Sequence, residues 1–258
     1  MSTSSPTYPA VVSLLRSAGC VFAEDEAALI FDTASGPAEV EAFVARRTAG
    51  VPLEHVLGWA AFCGLRIAVE PDVFVPRQRT EFLVRLAVGL ARPGDVVLDL
   101  CCGSGAVGAA VAASVGQITL VATDIHPAAV RCARRNIAGG SVHLGDLYEP
   151  LPAALRGRVD VLVANAPYVP TEDIGLMPPE ARLHEPMVAL DGGADGLDVQ
   201  RRVAAGALDW LSPGGRLLVE TSRRQAEHTA AVFAAFGMSA LIRRSDELSA
   251  TVVLGTRP

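Results

Sequence analysis

Asn165-Ala166-Pro167-Tyr168 stands directly behind the apolar run Val159–Ala164, so an amide, a rigid bend and an aromatic face fall at the mouth of an expected strand. That combination suits a planar nitrogen. The lone pair of an amide or exocyclic nitrogen is delocalised, so a site that alkylates it must hold its N–H groups and aim the lone pair at the electrophile. The Asn165 side-chain oxygen and the Ala166 backbone carbonyl are two acceptors at suitable spacing, and Tyr168 supplies cover for the flat face of the group. Taken alone, the same four residues are also an ordinary strand end followed by a proline turn.

A second constellation lies upstream in VVLDLCCGSGAVG, where Gly103, Gly105 and Gly108 satisfy GxGxxG and Asp124 ends the next apolar segment. A dinucleotide fits this pattern, with glycines against a pyrophosphate and the carboxylate on a ribose hydroxyl. S-adenosylmethionine fits equally, since its adenosine carries the same diol without a phosphate. The glycines do not separate the two, but three further features favour the methyl donor. Asp99 ends the strand before the loop, where a carboxylate repels pyrophosphate and tolerates a sulfonium or amino group. Asp146 and Leu147, after Gly145, are placed to accept from an adenine amine and to lie against its ring. The 165–168 tetrapeptide follows a fourth strand at the same carboxyl edge, where such sheets bind ligands.

The elements that must position these groups are legible as alternation. Buried strands are expected at Val96–Leu100, 118–123, 142–144, Val159–Ala164 and 216–220, with helices at 106–113, 127–137, 199–211 and 225–236 between and after them. Such alternation builds a mainly parallel sheet covered on both faces. Segments 238–243 and 250–254 are expected to close its edge as an antiparallel pair. Ahead of the sheet, 11–18, 23–32 and 38–47 have helical periodicity punctuated by Gly19, Gly36-Pro37 and Gly50, and 51–76 looks extended, with turns at Gly58, Gly64 and Pro71-Asp72. Residues 169–196 are a long irregular stretch, and a loop of that length in a compact domain is usually functional.

Composition narrows the classes. The chain has 258 residues, is 50% hydrophobic and carries a formal charge of −6. It contains no lysine, which removes Walker-type phosphate binding and Schiff-base or pyridoxal phosphate chemistry. The acidic balance disfavours extended contact with a nucleic-acid backbone. The five cysteines form no CxxC pair and the five histidines have no metal spacing, so no metal site is expected. A polar N-terminus without a basic start and the lack of a long apolar segment lead to an expectation of cytoplasmic location.

The chain resembles the protein N5-glutamine methyltransferases that modify peptide chain release factors, within the class I S-adenosylmethionine-dependent methyltransferases. The resemblance runs over residues 51–255. PLEHVLGWAAFCGLRIAVEPDVFVPRQRTEFLV is similar to the family's linking hairpin, DLCCGSG to its cofactor loop, NAPY to its NPPY, and EARLHEPMVALDGGADGLDVQRRV to the segment behind that motif. The last is the most specific, because NPPY-like motifs also serve enzymes acting on nucleobase amines. The resemblance implies a Rossmann-like seven-stranded domain at 78–258, a β-hairpin linker at 51–77 and a helical substrate-recognition cap at 1–50. It implies S-adenosylmethionine contacts from Cys101, Cys102, Gly103, Ser104, Gly105, Asp124, Asp146 and Leu147, to which the reading of the residues adds Asp99 and Asn165, with S-adenosylhomocysteine as product. Asn165, Ala166, Pro167 and Tyr168 would meet the acceptor, a glutamine amide in a release factor, with no membrane or direct nucleic-acid partner. Ala166 stands where the family has proline, Cys101 where it has glycine, Arg79 where an acidic residue generally precedes Thr-Glu, and Ser249 and Thr251 where a glycine and an arginine are usual. Alternative readings are a nucleic-acid amine methyltransferase, a nicotinamide-dependent oxidoreductase and a non-catalytic relative.

Overall fold

Residues 6–258 are described by the computed structural model; residues 1–5, which begin the polar N-terminus and the expected cap, lie outside it. Three helices come first: α1 (Tyr8–Ser17), α2 (Ala23–Thr33) and α3 (Pro37–Thr48). α1 and α3 begin with proline in the first turn, where a missing N–H costs nothing. Val11 and Leu15, Ala23, Ala27 and Ile30, and Val40 and Val44 lie one helical turn apart and close a small core of their own.

The segment read as wholly extended starts instead with a short helix, α4 (Leu53–Leu57), which Gly58 ends in the left-handed conformation at φ +79°. β1 (Trp59–Phe62) and β2 (Leu65–Ala68) then form the expected antiparallel hairpin. The remaining elements are α5 (Glu81–Leu90), β3 (Val96–Leu100), α6 (Ala106–Val115), β4 (Thr119–Asp124), α7 (Pro127–Asn136), β5 (Ser141–Leu144), β6 (Val159–Ala164), α8 (Pro179–His184), α9 (Asp198–Trp210), β7 (Leu211–Thr221), α10 (Ala226–Ala235), β8 (Ser239–Ser245) and β9 (Ala250–Thr256).

β3 to β9 form one sheet in the order β5-β4-β3-β6-β7-β9-β8, parallel from β5 to β7. β9 runs antiparallel to both β7 and β8, so the terminal hairpin inserts its second strand beside β7 and leaves β8 outside. Side-chain chemistry explains the choice. Val252 and Val253 of β9 are fully buried, whereas β8 carries Arg243 and Arg244 and is suited to an edge. Alternation along the central strands divides the core: Val97, Val161, Val163 and Leu218 pack with α5 and α6, and Leu98, Leu162, Leu217 and Val219 with α9 and α10.

The long stretch after β6 is more ordered than its composition suggests. Short 3-10 turns at Thr171–Leu176 and Met187–Ala189 flank α8. Three pieces this short, each following a proline, carry too little periodicity to be read as helix. Arg47 of α3 ties this stretch to the first three helices, pairing with both Glu26 of α2 and Glu180 of α8 at 2.6 Å. Glu185 secures its other end, accepting from Arg77 Nη2 at 2.6 Å and from the Val75 backbone N–H at 3.1 Å.

Candidate active site

The chain leaves β3 for β4 on one side and returns to β6 on the other, which opens a crevice beyond the carboxyl ends of these strands. A cavity of about 400 Å³ occupies it. Asp99, Cys101, Cys102, Gly103, Ser104, Asp124, Asp146, Leu147, Asn165, Ala166, Pro167 and Tyr168 all line that cavity. Gly105, expected among them, does not. It caps α6 at φ +77° and faces α7, where a Cβ would stand 3.0 Å from both Ala133 Cβ and Ile137 Cδ1. Its glycine serves close helix packing behind the loop.

The loop after β3 turns twice through left-handed backbone, at Cys101 (φ +55°) and Gly103 (φ +54°). A non-glycine residue is uncommon there, so Cys101 holds a conformation that glycine would take without steric cost. Asp124 fixes the turn from β4: Oδ2 accepts the Gly103 N–H and Oδ1 the His126 N–H, both at 2.8 Å. Asp99 reaches under α6 and accepts the Gly108 N–H at 2.9 Å. Gly108 permits this approach, because a Cβ at that position would lie 3.0 Å from the same carboxylate oxygen.

The electrostatics are dominated by burial. Asp99 is pushed up to about 7, chiefly by desolvation and also by repulsion from Asp124, against the relief of the Gly108 N–H. Desolvation raises Asp124 as well, against its backbone hydrogen bonds. Among the described residues neither carboxylate takes part in an ion pair. Asp146 does, with Arg202 Nη2 of α9 at 2.5 Å. The thiols of Cys101 and Cys102 are both raised, by burial first and then by the surrounding carboxylates, so they stand as protonated lining groups. Leu147, at φ +47°, is pinned by its carbonyl, which accepts from Thr123 Oγ1 at 2.9 Å.

The tetrapeptide at 165–168 forms the opposite wall. The Asn165 side-chain amide leans on Thr80 Oγ1 at 3.4 Å, and its carbonyl oxygen has no partner among the described residues. The Ala166 amide donates no hydrogen bond among them either. The Tyr168 hydroxyl donates to Glu220 Oε1 at 3.1 Å, and burial, followed by the Glu220 charge, pushes the phenol well above its ordinary range. The Tyr168 carbonyl accepts from Gln225 Nε2 at 2.9 Å.

Sequence reasoning missed this supporting layer of Thr80, Arg79, Glu220 and Gln225, and the glycines that let it close. A Cβ on Gly196, at φ +77°, would lie 2.4 Å from the Tyr168 carbonyl oxygen, and one on Gly192 would lie 2.8 Å from the Tyr168 Cα. The signal was present as the run DGGADG, whose glycines mark close backbone approach. Nothing local points to Glu220, which arrives by the register of β7 against β6.

Comparison with known proteins agrees with this arrangement. Residues 70–177 match the model of the methyltransferase small domain family. The release factor glutamine methyltransferase of Geobacter sulfurreducens is 38% identical, over 88% of this chain and 81% of that one. The protein of the same name from Mycolicibacterium smegmatis is 41% identical, over 79% and 75%. Among solved structures, a methyltransferase from Pyrococcus furiosus superposes with a TM-score of 0.58 at 19% identity, covering 75% of this chain and 89% of that one, a likeness of fold alone. With a shared sequence that spans most of both partners, and the cavity placed where the fold binds its ligands, this chain belongs to the release factor glutamine methyltransferase family.

Proposed function

We propose that the protein transfers a methyl group from S-adenosylmethionine to the side-chain amide nitrogen of a glutamine in a peptide chain release factor. The observation that carries this reading is the cavity itself, which gathers the buried Asp99 and the half-buried Asp124 with Asn165 and Ala166 in one lining. The donor set fits the cofactor. Asp99 is a buried carboxyl without a paired cation, suited to sulfonium and amino charge, and Asp124 keeps lone pairs for a ribose diol at the edge of the glycine loop. Asp146 and Leu147, which line the same cavity, would meet the adenine amine and ring. Bound there, the cofactor would supply an electrophilic methyl group.

The chain's own residues do the rest. Asn165 Oδ1 and the Ala166 carbonyl take the two amide hydrogens of the acceptor, which weakens amide resonance as the nitrogen pyramidalises. Tyr168 packs against the flat face of the amide and excludes water from it. No strong base is needed before transfer, because the alkylated nitrogen is acidic and releases its proton late, to an oxygen of the motif or to water. In this reading residues 1–50 serve as a cap that meets the protein substrate, 51–77 link it, and 78–258 carry the chemistry. Arg47, which joins α3 to the cavity wall at Glu180, supports that division.

Incubation with labelled S-adenosylmethionine and a purified release factor, followed by mass mapping, tests the proposal. Label on a single glutamine side chain is the expected result. Label in RNA or DNA, or none in protein, overturns it.

A further inference from the structure

Glu220 is the last residue but one of β7, just beyond Val219, which faces Ala164 across the β6 ladder, so it lies level with Asn165. It is 2% exposed. One oxygen, Oε1, accepts from the Tyr168 hydroxyl at 3.1 Å and from Arg79 Nε at 3.4 Å, while Oε2 has no partner among the described residues. Burying a carboxylate with half its acceptor capacity unused is unfavourable, and a residue kept in that state requires a reason beyond packing.

The geometry supplies one. A tyrosine ring hinged only at Cβ can swing, and a ring that covers a planar acceptor must not. Tyr168 is gripped at both ends: Gln225 holds its carbonyl, and Glu220 holds the hydroxyl at the far end of the ring. Arg79, half-exposed at the cavity wall, pairs with the same Glu220 oxygen at 3.4 Å. We infer that Glu220 is a positioning residue for methyl transfer: its carboxylate, balanced by Arg79, locks the Tyr168 ring in the plane that aligns the acceptor amide. This inference rests on the glutamine reading proposed above. Glu220 does not line the cavity and touches no reacting atom.

Glu220→Gln keeps the shape and an acceptor but removes the charge that draws in Arg79. Steady-state methylation of a purified release factor should show kcat lowered roughly 10- to 100-fold by Glu220→Gln. Affinity for S-adenosylmethionine, measured by calorimetry, should stay within about twofold of wild type. Tyr168→Phe should cost a similar factor, and the double variant should be no slower than the slower single one, because both changes break the same link. Effects that multiply in the double variant, or an unchanged kcat in Glu220→Gln, overturn the inference. A purely structural role for Glu220 predicts lost thermal stability with no such coupling.

A second readout is independent of turnover. In protein labelled with 3-fluorotyrosine, Glu220→Gln should move and broaden the Tyr168 fluorine resonance and leave those of Tyr8 and Tyr148 in place. A Tyr168 signal indifferent to Glu220 defeats the positioning role even if the wild-type enzyme methylates its substrate. A wild-type protein that methylates no glutamine, while the signal responds, defeats the functional reading and leaves the grip on Tyr168 established.

Discussion

Replacing Asp99 with asparagine tests the electrostatics of the cavity most directly. Burial pushes this carboxyl up to about 7 from an ordinary 3.8, so the folded chain keeps a proton that the unfolded chain gives up. The unfolded state therefore binds fewer protons between about pH 4 and pH 7, and stability falls as pH rises through that window, then levels off. The gap between the two values corresponds to about 4 kcal/mol. Asparagine still accepts from the Gly108 N–H and has nothing to ionise. Asp99→Asn should match wild type near pH 4 in urea unfolding and exceed it by up to about 4 kcal/mol near pH 8. The proposed cofactor acts in the opposite sense, because its positive charge favours the ionised carboxylate and binding expels the proton. Wild-type affinity should then weaken roughly fifty-fold from pH 7 to pH 5, with about one proton released per cofactor at the lower pH. Calorimetry in buffers of different ionisation enthalpy reads both quantities. Asp124 is raised too, so the difference between wild type and variant isolates Asp99. A stability difference that is flat from pH 4 to pH 8, or a variant that keeps the wild-type proton release, refutes the reasoning.

Asn165→Ala should lower turnover roughly 100- to 1000-fold, as removal of one transition-state partner does elsewhere, while cofactor affinity stays near wild type; near-normal methylation by that variant excludes the assigned role. Ala166→Pro should be tolerated, because the Ala166 amide donates no hydrogen bond among the described residues. Its stiffer backbone should raise stability by about 0.4–1 kcal/mol, read as a Tm increase of a few degrees with methylation retained. Gly196→Ala should damage the site from outside it, since the new Cβ would press on the Tyr168 carbonyl 2.4 Å away. Loss of turnover on a release factor with unchanged cofactor affinity is the expected signature, and a fully active Gly196→Ala enzyme contradicts the close packing.

The centre of the sheet was legible because β3, β4 and β6 are buried on both faces and read as apolar runs, with Asp124 and Asn165 falling where β4 and β6 stop and Asp99 and Asp146 beside the ends of β3 and β5. Carboxyl-edge clustering follows from that topology, so distant residues were brought together correctly. What stayed hidden is what no local pattern encodes. Five residues at Leu53–Leu57 are too short for a helical period, and α8 is scarcely longer. The GxGxxG spacing placed Gly105 on the cofactor side, whereas the approach of α7 decides its role. The insertion of β9 between β7 and β8 depends on a contest between two strands for a buried position, which the order of segments does not express. Arg79, a departure from the family pattern, takes on meaning only beside Glu220, a residue 141 positions away.

The raised thiols in the loop after β3 bear on chemoselectivity. A thiolate attacks a sulfonium methyl group far more readily than an amide nitrogen does, so a loop with two adjacent sulfurs beside the donor invites self-alkylation. At Cys101 burial, reinforced by Asp124, Asp99 and Asp146, keeps the sulfur protonated. Carboxylates that attract a cationic donor thereby also disarm the strongest nucleophile within its reach. In the proposed reaction, the acceptor amide held by Asn165 and Ala166 then meets no thiolate rival from this loop.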